Sequence, residues 1–237
     1  MNQQNKNKLK KFAYPVYIIY RKLINRKIQT NPKWLANRIF FQTFHRKIDW
    51  NHPKDVNEKI NWLKFHENPF LWAKLADKYR VREYVSSCGL KDILIPLYGK
   101  WNSSEDVLKD WDTLPDEFVL KSNNGCGNIL LITKQNGGKN AIDKEALRKT
   151  LDLWLSERDY GKNSAEPHYQ LIQNCIIAEQ LLKEESSLDF SSSMVDYKIW
   201  CFNGQPYSCL VVYDRKITEK NIHSIIMILS GISIQNI

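Results

Sequence analysis

The chain has 237 residues, 43% hydrophobic and 26% charged, which is enough apolar material for one large or two small cored domains and excludes a low-complexity or disordered protein. Its net charge of +9 is confined to one end: residues 1–48 hold twelve Lys or Arg and no Asp or Glu, and the rest of the chain is slightly acidic. That distribution speaks against a nucleic-acid-binding domain, and five scattered cysteines without a CxxC or Cys/His cluster speak against a disulfide framework or zinc site.

In the basic arm the cations alternate with Phe12, Tyr14, Tyr17, Ile18, Ile19, Tyr20, Leu23 and Ile24. Its apolar run, residues 12–20, contains Pro15, lacks a small-residue cleavage site and is too short to span a bilayer. Two readings stay open: peripheral contact of residues 1–48 with an anionic membrane surface, or a solvated basic helix packing its apolar side on the body. A helix is predicted over 55–65, capped by Asp55 or Asn57 and broken by Asn68-Pro69. A second is predicted over 71–87, stopping near Gly89. Residues 93–99 read as a short strand interrupted by Pro96, and 103–109 as a helix capped by Ser103 or Ser104. After the turn at 114–116 comes a strand from Phe118, and after a polar loop at 135–140 Asp143 caps a helix to about Glu157. Leu147, Leu151, Trp154 and Leu155 form the buried face of that helix. Residues 174–179 and 195–202 read as strands, and Asn203-Gly204 predicts a hairpin to 207–213. Alternation places Asp196, Lys198, Trp200 and Phe202 on one face.

The stretch 118–132, FVLKSNNGCGNILLI, carries the most chemistry. Lys121 ends an apolar strand, and the loop that follows holds Ser122, Asn123, Asn124, Gly125, Cys126, Gly127 and Asn128. Gly and Asn tolerate positive φ, so several backbone N–H groups can converge on one anion beside the lysine, an arrangement suited to a polyphosphate. The return segment, from Ile129, is β-branched and apolar, hence strand. Walker and dinucleotide loops run from strand into helix, so both are excluded. A flap over a nucleotide and an ordinary hairpin whose turn needs Gly and Asn are the two remaining readings.

Six ordered pieces then form a pattern: 57–65 (NEKINWLKF), 76–85 (ADKYRVREYV), 95–101 (IPLYGKW), 114–128 (LPDEFVLKSNNGCGN), 176–182 (IIAEQLL) and 196–206 (DYKIWCFNGQP). Over roughly residues 54–215 the chain resembles the ATP-grasp superfamily, in its TupA-like branch linked to teichuronopeptide and other cell-surface polymer synthesis. The resemblance implies an α+β fold with a helical N-terminal region, antiparallel-sheet nucleotide-binding subdomains and an incomplete C-terminal subdomain. Segments 1–48, 49–117, 118–183 and 184–237 are the expected divisions. It implies ATP and Mg²⁺ as cofactors, with the metal ligands unassigned. Lys121 would hold the α- and β-phosphates, and Asn124, Gly125, Cys126, Gly127 and Asn128 would cap them. Gln180 and Leu181 would read the adenine edge through their main chain, Glu179 would line that linker or reach the ribose, and Lys78 is a further candidate. Lys198 would face the transferred phosphate, oriented by Asp196. The implied reaction joins a carboxylate, on a sugar acid or amino acid, to an amine or similar nucleophile through an acyl phosphate, in the cytoplasm or at the inner face of the membrane.

Past Asp214 the only acidic residue is Glu219, and the final segment turns Ile-rich and nearly uncharged. A truncated or frame-shifted reading frame is one expectation there, and a C-terminal buried strand or helix the other. Two further functions remain open. Asp110-Trp111-Asp112 is a DxD of the kind that holds a metal and sugar nucleotide in glycosyltransferases, or a polar turn. A non-catalytic nucleotide- or membrane-binding protein using the basic arm is the other. Most of the eight tryptophans fall in helical apolar patterns and are expected in the core.

Overall fold

The computed structural model describes residues 22–24, 26–158, 160–183 and 194–214, and the backbone of 223–228. The aromatic run at 12–20, Glu219 and the end of the Ile-rich segment lie outside the described residues. The chain forms two compact units, 1–181 and 182–237.

The first unit begins with helices. Asn31 caps α1 (Pro32–Phe44) by accepting from the Trp34 N–H, with Pro32 at the first helical position where its missing N–H costs nothing. Leu35, Ala36 and Phe40 of α1 pack with Ile48 and Ala165 in a small core. Asp55 caps α2 (Val56–His66) as expected, accepting from the N–H groups of Asn57 and Glu58. Glu58 is 1% exposed, and its carboxylate takes the Lys54 N–H at 2.7 Å and the Arg46 guanidinium.

The helix predicted over 71–87 is two helices, α3 (Pro69–Ala76) and α4 (Val81–Ser87). Asp77 causes the break. Its carboxylate, buried at 2% exposure, turns back on the N–H groups of Tyr79 and Arg80 at 2.9 and 3.2 Å and so draws 78–80 into a tight turn. The strand predicted at 93–99 is likewise displaced. Residues Lys91–Ile93 form a 3₁₀ turn, and β1 covers Leu97–Trp101, because Pro96 cannot supply a ladder N–H.

Four strands make an antiparallel sheet in the order β1–β4–β2–β3, with β2 (Phe118–Ser122), β3 (Ile129–Ile132) and β4 (Ile176–Glu179). A segment boundary at 117 therefore runs between strands of one sheet. The register sets Val119 opposite Glu179 and Lys121 opposite Ile177, while Lys121 faces Ile129 on the other side. Alternation then sorts the two faces. Phe118, Leu120, Ile132, Ile176 and Ala178 point into a core closed by α5 (Ser104–Lys109) and α6 (Lys144–Ser156). Leu147, Leu151 and Trp154 of α6 are buried there as expected, together with Trp101 and Trp111. Lys121, Ile177 and Glu179 share the opposite face, the one that carries the site.

The second unit is a three-stranded antiparallel meander, β5 (Asp196–Phe202), β6 (Gln205–Tyr213) and β7 (His223–Ile228). Asn203 and Gly204 both take positive φ, 50° and 76°, as the predicted two-residue turn requires. The N-terminal part of the Ile-rich segment is thus a strand paired to β6, from Tyr213 opposite His223 to Ser208 opposite Ile228.

Candidate functional site

Strand β2 ends in Lys121, whose Nζ lies 2.7 Å from Glu179 Oε2 at the end of β4. The pairing follows from register, because the two residues sit on neighbouring strands two positions apart on the same face. The other Glu179 oxygen is 3.4 Å from Arg82 of α4, and Arg82 also donates to the Ile95 carbonyl at 2.6 Å. The Glu179 side chain is only 8% exposed, so its charge is neutralised by two cations rather than by water. Arg82 was not assigned from sequence. The readable signal was its spacing of four from Lys78, two cations directed from one segment toward a strand that ends in a carboxylate.

The loop between β2 and β3 is anchored at its root and open at its tip. Asn123 is 1% exposed; its amide donates to the Gln173 carbonyl at 3.0 Å and its oxygen accepts the Cys175 N–H at 2.8 Å. Asn124 donates to Asn174 Oδ1 at 3.1 Å. Asn174 in turn gives its amide to the carbonyls of Trp154, Leu155 and Glu157, so one side chain closes the C-terminal end of α6 and holds the loop to it. Asn123 and Asn174 are further contributors that sequence reasoning left unassigned.

Beyond that root the backbone takes positive φ at Gly125 and Gly127, 69° and 90°. Lys78 Nζ donates to the Gly125 carbonyl, and the Tyr160 hydroxyl donates to Cys126 Sγ at 3.2 Å. A Cβ on Gly125 would lie 2.5 Å from the Tyr160 ring, so only glycine lets the tyrosine cover the loop from that side. The hydrogen bond to Cys126 pushes the Tyr160 hydroxyl up to about 12, and it stays protonated as a donor. Among the described residues, the N–H groups of Gly125, Cys126, Gly127 and Asn128 meet no acceptor. Asn124 Oδ1 is buried and also without a partner there.

Burial, and then the neighbouring positive charge of Lys121, lowers the pKa of Lys78. Asp77 forms no ion pair with it, since that carboxylate accepts the turn N–H groups. Two lysines are therefore brought to one glycine loop whose donors are unused. This donor set fits a polyphosphate. Beside it, Ile129 and Leu131 of β3 are 49% and 45% exposed, on the face shared with Lys121. The Gln180 N–H donates to the Pro96 carbonyl at 3.0 Å, so that donor is already used.

In the second unit Lys198 Nζ and Asp196 Oδ2 are 2.8 Å apart on one face of β5, as alternation predicts. No group of three His, Cys, Asp or Glu side chains that could hold a metal ion occurs among the described residues. Of the two readings of Asp110-Trp111-Asp112, the structure bears out the polar turn. Asp110 Oδ2 accepts the Trp101 indole N–H at 2.7 Å, and Trp111 is 1% exposed in the core, so this segment is a structural turn at the end of α5. All five cysteines are free, and no helix among the described residues is long and apolar enough to cross a membrane.

Fold and site together define an α+β protein with a glycine-rich hairpin loop flanked by Lys78 and Lys121. The sequence model of the TupA-like ATPgrasp family matches residues 58–224, and the chain belongs to that family. No curated protein and no solved structure matches the chain.

Proposed function

We propose that the protein is an ATP-dependent ligase that joins a carboxylate to an amine or similar nucleophile, in the synthesis of a bacterial cell-surface polysaccharide or glycopolymer. The observation that supports this reading most directly is the loop tip: four backbone N–H groups without acceptors among the described residues, flanked by Lys78 and Lys121.

In this reading Gly125, Cys126, Gly127 and Asn128 cap the phosphates through their backbone, and Lys121 leaves Glu179 to meet them. Arg82 keeps Glu179 neutralised when it does, so the lysine can move without stranding a buried carboxylate. Gln180 and Leu181 face the adenine through their main chain. Lys198, held by Asp196, offsets charge on the transferred phosphoryl group. The carboxylate oxygen attacks the γ-phosphorus and ADP departs. The amine then attacks the acyl carbon, phosphate leaves, and the amine loses a proton. A sugar acid or amino acid supplies the carboxylate.

The test is calorimetric titration of the purified chain with ATP, with and without Mg²⁺, followed by a screen for ADP release with uronic acids and amino acids paired with amines. Micromolar ATP affinity and ADP release that depends on one carboxylate are expected. A folded sample that binds no ATP overturns the reading.

A further inference from the structure

We propose that the outer face of α1, together with the basic helical residues before it, is a docking surface for an anionic lipid membrane. The inference does not depend on the ligase reading.

Helix α1 has two apolar aspects. Leu35, Ala36 and Phe40 pack inward against Ile48 and Ala165, which is the body-packing reading of the basic arm. The other aspect faces outward. Arg38 and Phe41 follow one another at helical spacing along an open groove of about 620 Å³, lined also by Gln42, Lys47 and the edges of Trp34 and Asn37, which are held to the body by core packing and by the Ile48 N–H. Phe41 is 50% exposed, Phe44 42% and, further back, Leu23 61%. Phe41 and Phe44, one helical turn apart, leave large apolar side chains in water and call for a partner.

The charges around them are all of one sign. Residues 22–48 contain no carboxylate. Arg46 is paired with Asp55 and Glu58, whereas Lys22, Arg26, Lys27, Lys33, Arg38 and Lys47 have no carboxylate partner among the described residues. Lys27 lies 4.7 Å from the Trp34 ring and Arg38 5.6 Å, so ammonium, guanidinium and indole form one cluster. Cations on the helix that leaves Phe41 in water match the two parts of a lipid interface: phosphate and carboxylate headgroups attract the charges, and the acyl boundary takes the exposed ring. The remainder of the chain is slightly acidic, so the attraction to an anionic surface is carried by this basic segment. A soluble acidic polymer would account for the cations and leave Phe41, Phe44 and Leu23 unexplained.

Cosedimentation of the full chain with phosphatidylcholine vesicles, alone or containing about a third phosphatidylserine, tests the proposal. Binding is expected only to the anionic vesicles at about 0.1 M salt and is lost at about 1 M, where the Debye length falls from about 10 to 3 Å. With roughly fivefold in partitioning per charge, the triple change Lys27→Gln, Arg38→Gln, Lys47→Gln lowers binding about 100-fold. Phe41→Ser lowers it roughly tenfold. Exposed lysines elsewhere serve as the control, and Lys59→Gln, Lys109→Gln, Lys149→Gln leaves binding unchanged. All these positions are at or near the surface, and circular dichroism verifies that each variant is folded. Absence of binding to anionic vesicles overturns the proposal. So does binding that ignores the α1 changes, or binding abolished by soluble alginate and indifferent to Phe41→Ser.

Discussion

Lys121→Met separates the two duties assigned to Lys121, neutralising Glu179 and meeting phosphate. In the wild-type chain Glu179 has cations on both oxygens, Lys121 at 2.7 Å and Arg82 at 3.4 Å. Stranding a buried charge completely costs about 3–5 kcal/mol. Here Arg82 remains, and Lys121 is itself 23% exposed on its side chain, so the loss is expected near 1–2 kcal/mol. The loss in ATP binding is larger in proportion. A charge-assisted hydrogen bond contributes about 1.5–3 kcal/mol, which is a 10- to 150-fold change in Kd. Thermal shift reads both quantities. At ATP about 100 times the wild-type Kd, the wild type gains about 2.7 kcal/mol, or roughly 5–10 °C for a chain of this size. If Lys121→Met weakens binding about 30-fold, the same ATP gives it under about 1 kcal/mol, roughly 2–3 °C. Glu179→Ala supplies the contrast, because it leaves Lys121 and Arg82 facing each other without a carboxylate and destabilises the chain more than Lys121→Met does. A Lys121→Met protein with the full ATP-induced shift, or one as unstable as Glu179→Ala, refutes the assignment.

Gly125→Ala is expected to weaken ATP binding more than Gly127→Ala: both meet a left-handed backbone costing about 1–2 kcal/mol, but only the first also drives a methyl into the Tyr160 ring. Adding Tyr160→Ala recovers part of the Gly125→Ala loss in a titration, and equal effects of the two glycine changes would count against the tyrosine contact. Asn174→Ala removes the amide that serves three carbonyls at the end of α6 and the partner of Asn124, and a loss of about 2–3 kcal/mol in urea unfolding is expected; a loss below about 0.5 kcal/mol contradicts that role. Lys78 gives a pH-dependent signature. Burial and Lys121 lower its pKa in the free protein, so between that lowered value and the ordinary 10.5 it is partly neutral, and stability rises with pH across this window because the unfolded chain binds the extra proton. A polyphosphate restores the charge, so ATP binding takes up protons at alkaline pH. Calorimetry in buffers of different ionisation enthalpy measures the uptake, and Lys78→Met abolishes it; uptake that persists in Lys78→Met assigns the proton elsewhere.

The boundary between what the chain spelled out and what it left open follows the range of the interactions. Asp55 and Asp143 cap their helices from within three residues, and Asn203-Gly204 forms its turn from its own φ preferences, so these features were legible in short windows. Leu147, Leu151 and Trp154 declared a buried stripe through their spacing. The glycine loop and Lys121 were legible for the same reason, as was the family, whose ordered motifs are a property of the chain itself. Local reading failed where a side chain had two partners to choose from. Asp77 lies within a continuous helical period, and its burial against its own turn N–H groups split that helix in two. Nothing near Glu179 in sequence announces Arg82, 97 residues away, or Lys121, 58 away. Only the antiparallel order β1–β4–β2–β3 brings those charges onto one sheet face. The sequence alone determined the local caps and turns, the charge of the basic arm and the presence of the glycine loop, each written in a short window. Tertiary structure decided which lysine is paired, which asparagines anchor the loop and which face of α1 remains in water, because each depends on the register between strands or the packing of one element on another.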